Sequence, residues 1–216
     1  MQKHGGKKNY MATKLDMSKA YDRMEWPYLE SVMRRLGFIE KWITLLMLSV
    51  KTVSYSILVN GKPKGMIKPS RGIYQGDPLS PFLFLLCTEG SHGLINKAAT
   101  QGDIKGYSLC RNSPRLTHLL FADDSLLFCS ATIQKCQQII NILEIYGKCL
   151  GQQINRNKTT IFFSNSTSKE IKNQIRIALD VPEIVQYEKY LGLPSFIRRH
   201  KKASFNFIKE RVWKKL

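Results

Sequence analysis

Apolar residues recur with two different spacings along this chain, and the switches between them set an expected order of elements. Tyr10–Asp16 is a short apolar-edged run that reads as a strand closing on an acidic residue. Trp26–Gly37 and Ile39–Val50 read as helices, with Pro27 suited to a first turn and Gly37 to a helix end. Val53–Val59 alternates in a strand-like way, and Asn60-Gly61 supplies the two left-handed positions of a type I′ turn, so a return strand is expected over Gly65–Lys68. Pro81–Ala99 is a long apolar helix, approached through a turn that holds Pro78 and Pro81.

The most diagnostic pattern follows. Leu116–Ala122 and Ser125–Ser130 are apolar strand-like runs that meet at Asp123-Asp124, which predicts a tight hairpin with both carboxylates at its tip. Ile133–Leu150 reads as a helix ended by Gly151, Thr160–Phe163 as a strand, Ser168–Leu179 as a helix capped by Ser168, and Glu188–Leu193 as a short strand before Pro194. Basic helical sequence closes the chain. The order predicts an α+β fold in which an antiparallel sheet is backed by helices on one face, leaving the other face free to receive a ligand.

Composition narrows the class. The hydrophobic fraction of 43% and the charged fraction of 23% are those of an ordinary globular chain, which excludes wholesale disorder and a membrane protein. Met1–Tyr10 is basic and lacks the apolar stretch of a secretory signal, so an intracellular, non-secreted protein with no membrane partner is expected. Cys87, Cys110, Cys129, Cys136 and Cys149 are scattered without a Cys-x-x-Cys pair, each in or beside an apolar stretch, as buried free thiols are. The formal net charge of +18 is the one extreme value and points to a polyanionic partner, nucleic acid above all. Basic residues recur along the whole chain and thicken in Arg198–Lys202 and Lys209–Lys215, which suits a groove better than a detachable tail.

Converging carboxylates are what two-metal phosphoryl transfer needs. Asp123-Asp124 between apolar strands can supply part of such a site, and Asp16 at the end of another strand can join it if the strands share a sheet. Either element alone is commonly a solvated turn or strand end; their combination carries the inference.

Lys14–Arg23, Ser70–Pro81 and Phe121–Asp124 resemble three successive motifs of the reverse transcriptases, in wording similar to the non-LTR, LINE-type elements of plants. Gly151–Thr159 and Tyr190–Pro194 resemble the next two motifs of the series. The resemblance implies a polymerase palm: 1–165 as palm with truncated fingers, and 166–216 as primer-grip segment and the start of a thumb or connection. It implies an RNA-directed DNA polymerase that works on an RNA template, a DNA primer and dNTPs, using two Mg²⁺ ions for which Mn²⁺ can substitute. Asp16, Asp123 and Asp124 would hold the metal, and Lys158 would protonate the departing pyrophosphate. Tyr21 would lie under the sugar of the incoming nucleotide and exclude a 2′-hydroxyl, with Gln75, Gly76 and Arg71 also on the nucleotide. Tyr190, Leu191 and Gly192 would form the primer grip. The family's life cycle implies a nuclear location.

Two departures matter. Tyr74 stands where the LINE-type pattern usually has arginine, and the first palm motif begins within a dozen residues of Met1, so most of the fingers are expected to be absent. A second reading therefore stands beside the enzyme: a catalytically silent transposon remnant, or a maturase-like basic RNA-binding module.

Overall fold

Tyr10–Leu15 forms β1, a central strand of a four-stranded antiparallel sheet, lying between strands Asp124–Ser130 and Thr160–Phe163, with His118–Phe121 at the outer edge beyond Asp124–Ser130. In this computed structural model, residues 9–108, 110, 113–121, 124–181, 189–190, 193–194, 209–210 and 212–213 are described. After β1 come helices α1 (Trp26–Arg35) and α2 (Glu40–Lys51), the hairpin β2 (Tyr55–Val59) and β3 (Lys62–Ile67), and the long helix α3 (Ser80–Thr100). A second small hairpin pairs β4 (Tyr107–Ser108) with β5 (Arg115–Leu116). The chain then forms β6 (His118–Phe121), β7 (Asp124–Ser130), α4 (Ile133–Leu150), β8 (Thr160–Phe163) and α5 (Lys169–Leu179). The α+β class expected from the pattern is the class observed.

Alternation along the strands divides the sheet into two faces. Register pairs Met11 with Cys129 and Phe163, and Leu15 with Ser125, so Met11, Thr13, Leu15, Leu127 and Cys129 share one face. That face is buried against Ile95 of α3, Ile139 and Ile142 of α4 and Ile175 of α5. A second cluster lies between the helices, where Leu29 and Met33 of α1, Ile43 and Met47 of α2, Leu83, Phe84 and Cys87 of α3 and Tyr146 of α4 meet. Full burial of a side chain such as Leu15, Leu29 or Ile139 stabilises the fold by about 1.5–3 kcal/mol each. The other face of the sheet carries Ala12, Lys14, Leu126 and Phe128, with Leu119 and Phe121 of β6 exposed at its edge.

Local signals explain most boundaries. Thr132 caps α4 by accepting the Lys135 amide hydrogen, and Gly151 closes it in the left-handed conformation at φ 76°. Ser168 caps α5 on Ile171 in the same way. Asn60 and Gly61, at φ 52° and 75°, make the turn expected of them.

Three details differ from the sequence-based expectations. The return strand starts at Lys62 instead of Gly65, directly after the turn, because Pro63 is tolerated in a two-stranded hairpin whose outer edges pair with no strand among the described residues. The single run expected over Leu116–Ala122 is divided: Leu116 pairs with Tyr107, whereas His118–Phe121 pairs with β7. And only three cysteines are buried. Cys87, Cys129 and Cys136 lie in the core, where burial raises the first two thiols to about 12 and the third to about 11, while Cys110 and Cys149 are exposed. Cys149 lies on the solvent side of α4, one residue before the buried Leu150.

The chain divides into two units, Met1–Pro182 and Glu183–Leu216. The second holds the short antiparallel pair β9 (Lys189–Tyr190) and β10 (Leu193–Pro194). Among the described residues no helix is long and apolar enough to cross a membrane.

Candidate active site

Asp16 follows β1 directly, and its peptide group is held on both sides. Its amide hydrogen is donated to Thr159 Oγ1 at 3.3 Å, and its carbonyl accepts from the Asn155 amide at 2.9 Å. The next residues are held to the same loop: Met17 and Ile154 form an isolated antiparallel bridge, and the Ser18 amide donates to the Gln153 carbonyl at 2.8 Å. Buried Gln152 then donates from Nε2 to the Ala20 carbonyl at 2.7 Å. The segment that carries Asp16 to Tyr21 is thus bonded along its length to residues 152–159, far away in sequence.

Asp124 begins β7 and pairs with Phe121. Asp123, the residue before it in sequence, falls outside the described residues. The ladder between β1 and β7 ends with Leu15 opposite Ser125, so Asp16 and Asp124 are the next residues of their strands, at the same end of the sheet. Two-residue alternation places both on the face opposite the helices, the face that also carries Lys14. The Lys14 ammonium is 3.6 Å from Asp124 Oδ1, with both side chains partly exposed. Beneath them, on the helix side, Leu15, Leu120, Ser125 and Phe84 line a mainly apolar cavity of about 20 Å³, room for one water and no substrate.

Could these groups hold a metal ion? Among the described residues no group of three or more His, Cys, Asp or Glu side chains does so. Asp16 and Asp124 nevertheless fit a hard cation as part of a set that Asp123 would complete. They are partly exposed carboxylates, hard oxygen donors that suit Mg²⁺ or Mn²⁺ better than a thiophilic ion. A cation, the Lys14 ammonium, already faces one of them.

Tyr21 sits at the next step along the chain. Its ring stacks on the buried Phe84 of α3, with centroids 4.8 Å apart and planes inclined by 13°. Its carbonyl accepts from the Ile73 amide at 3.0 Å, the Gly72 amide donates to the Met24 carbonyl at 2.7 Å, and Trp26 Nε1 donates to the Gly72 carbonyl at 2.7 Å. Gly72 is required here: its φ is 84°, and a Cβ would stand 2.7 Å from the Asp22 carbonyl oxygen. These bonds join the Asp16–Met24 segment to the one that carries Arg71, Gln75 and Gly76.

Gln75 and Gly76 are exposed, and Gly76 has a φ of 110°. Asp77 Oδ1 then accepts from the Leu79 amide at 2.7 Å, turning the chain into α3. Arg71 donates to Glu25 Oε1 at 3.2 Å from an exposed position. Tyr74 is exposed, its ring 6.0 Å from that of Tyr55. Desolvation, and the nearby Tyr74, Asp22 and Asp77, raise the Tyr55 phenol above its ordinary value. Lys158 is exposed in the turn that follows Asn155, its amide donating to the Asn155 carbonyl at 3.1 Å, so it belongs to the loop that holds Asp16. Tyr190 lies in β9, opposite Leu193; Leu191 and Gly192 fall outside the described residues.

The sequence pattern did not single out Gln152, Asn155, Thr159, Phe84 or Lys14 as site-building residues. Lys14 had a readable signal, since a residue two before Asp16 in a strand must share its face, and Gln152, Asn155 and Thr159 lay within the Gly151–Thr159 motif, which gave none of them a role.

Residues 2–204 match the family described as reverse transcriptase (RNA-dependent DNA polymerase). The chain belongs to the reverse transcriptase family. An uncharacterized mitochondrial protein of Arabidopsis thaliana is 56% identical over 68 residues, covering 32% of this chain and 56% of that protein. A retrovirus-related Pol polyprotein from the type-1 retrotransposable element R2 of Popillia japonica is 29% identical over 120 residues, covering 56% of this chain and 19% of the polyprotein. The transposon TX1 uncharacterized 149 kDa protein of Xenopus laevis is 26% identical over 68% of this chain and 11% of its own length. These transposon relatives bear out the resemblance to non-LTR elements. The chain spans only 11–56% of the length of these three proteins. The fold is also similar to that of a solved structure: apo telomerase of Candida tropicalis, truncated from its C-terminal domain, superposes with a TM-score of 0.57 at 15% identity, over 75% of this chain and 32% of that one.

Proposed function

We propose that this chain is the palm of an RNA-directed DNA polymerase, adding deoxynucleotides to a DNA primer on an RNA template. The observation that carries this reading is the convergence of Asp16 and Asp124 at one end of neighbouring strands, on the sheet face opposite the one packed against α3, α4 and α5. Asp16, Asp123 and Asp124 would hold two Mg²⁺ ions, which when bound activate the attacking 3′ oxygen and offset charge on the leaving pyrophosphate.

The chain's own residues supply position. Asp16 is fixed through its peptide group, so its carboxylate has little backbone freedom. The Tyr21 ring, backed by Phe84, closes the space beneath the sugar of an incoming nucleotide and selects against a 2′-hydroxyl. Gln75 and Gly76 offer the base and template strand an exposed polar edge and a closely approachable backbone. Lys158 gives its Nζ proton to the departing pyrophosphate. Residues 1–165 act as the palm, and 166–216 carry the primer-grip segment, with Tyr190, Leu191 and Gly192, and the start of a thumb. The charge of +18 supports nucleic acid as the partner.

Primer extension tests the proposal. A DNA primer on an RNA template, with labelled dNTPs and Mg²⁺, should be extended by the wild-type chain and not by Asp16→Asn or Asp123→Ala. Absence of extension by the wild type, with salt-sensitive RNA binding retained, would leave the basic RNA-binding module as the better reading.

A further inference from the structure

Lys14 occupies an unusual place for a lysine. It lies in an internal strand, flanked by Leu126 of β7 and Thr160 of β8, and only 22% of its side chain is exposed. Most of its side chain is thus covered, and its ammonium lies 3.6 Å from Asp124 Oδ1 at the acidic end. Asp16 stands two positions further along the same strand and on the same face, one strand repeat of roughly 6.6 Å away. A fixed cation so placed attracts the carboxylates when they are otherwise uncompensated, and repels any second cation that approaches them.

We propose that Lys14 is the built-in counter-ion of the acidic site, neutralising Asp124 in the metal-free protein and setting how tightly the site takes a divalent ion. The inference rests on the reading of Asp16 and Asp124 as metal ligands. In this role Lys14 is a positioning residue. It keeps the metal-free carboxylates from forcing the strand ends apart, and it weakens cation binding so that the ion exchanges readily. For a partly exposed pair the effect is modest, up to roughly fivefold in an equilibrium constant.

Direct ion binding tests this without reference to turnover. Mn²⁺ affinity is measured by electron paramagnetic resonance, and Mg²⁺ binding by the rise it produces in Tm, on wild-type, K14M, K14R and D16N proteins. The expected result has a diagnostic sign: metal-free K14M melts below wild type, yet binds Mn²⁺ roughly fivefold more tightly, while K14R matches wild type and D16N binds weakly or not at all. A merely structural lysine would give unchanged or weaker Mn²⁺ affinity in K14M, and that outcome overturns the proposal while D16N still upholds the metal site. Absence of ion binding by the wild type instead overturns the metal reading itself. Should K14M prove insoluble, K14Q keeps a polar stem and is judged by the same sign.

Discussion

Replacing Gln152 by Met removes one hydrogen bond and one unmet polar atom while nearly keeping the side chain's length and volume. Gln152 is 5% exposed, and its Nε2 donates to the carbonyl of Ala20, itself 5% exposed. Its Oε1 is buried without a hydrogen-bond partner. Losing the donor strands a buried carbonyl, a cost of about 1–3 kcal/mol. Removing the unmet Oε1 offsets about 1 kcal/mol of that, by returning a desolvation penalty already present. The net destabilisation should be about 1 kcal/mol, and Tm should fall by about 2–4 °C. The functional effect should be larger, because Ala20 lies on the short path from Asp16 to Tyr21, and a displacement of about 1 Å at reacting groups can cost about 100-fold in rate. Steady-state primer extension and thermal denaturation on the same preparation read both quantities. A Q152M protein with kcat and KM within about twofold of wild type would refute the reasoning that this bond positions the segment. A fall in Tm far beyond 4 °C, with activity lost in proportion, would show that Gln152 serves the fold at large.

Other variants probe neighbouring contacts. Phe84→Leu keeps a large apolar group and removes a ring stack worth about 0.5–1.5 kcal/mol, so the ratio of kcat/KM for a deoxynucleotide over its ribonucleotide should fall; an unchanged ratio would detach Phe84 from sugar selection. Gly72→Ala drives a Cβ to 2.7 Å from the Asp22 carbonyl at a φ of 84°, which should cost about 1–3 kcal/mol and lower Tm accordingly. Thiol titration of the native protein should modify Cys110 and Cys149 quickly, while Cys87, Cys129 and Cys136 react only after denaturation, since burial both shields these thiols and opposes their ionisation.

What could be read from the residues in order was whatever depends on neighbours in sequence. α4 is bounded by Thr132 and Gly151 because a hydroxyl cap and a left-handed glycine act within one helical turn. Asn60-Gly61 marks its hairpin for the same reason. The pair β4 and β5 escaped notice because two-residue strands have no periodicity to detect. Within the site, Asp16 and Asp124 were legible as strand-end acids, and the shared sheet supplied their proximity. The loop that holds Asp16 was marked only as the motif Gly151–Thr159, and its bonding role was not legible. Gln152, Asn155 and Thr159 act on Asp16–Ala20 through contacts more than 130 residues apart in sequence, and nothing local marks a glutamine or threonine for such work. Phe84 was hidden for a related reason: in an apolar helix every large residue looks like core, and only the fold shows which one lies under a tyrosine ring.

The shared register of β1 and β7 makes the acidic end unforgiving of length changes. A single residue added to or lost from either strand reverses inward and outward for everything beyond it. Leu15 or Ser125 would then emerge where an acid is needed, and Asp16 or Asp124 would be driven among Ile95, Ile139 and Leu127. One parity rule thus guards both the hydrophobic interior and the chemistry. Among relatives of this chain, insertions should accumulate in the exposed β2–β3 hairpin and be rare in these two strands.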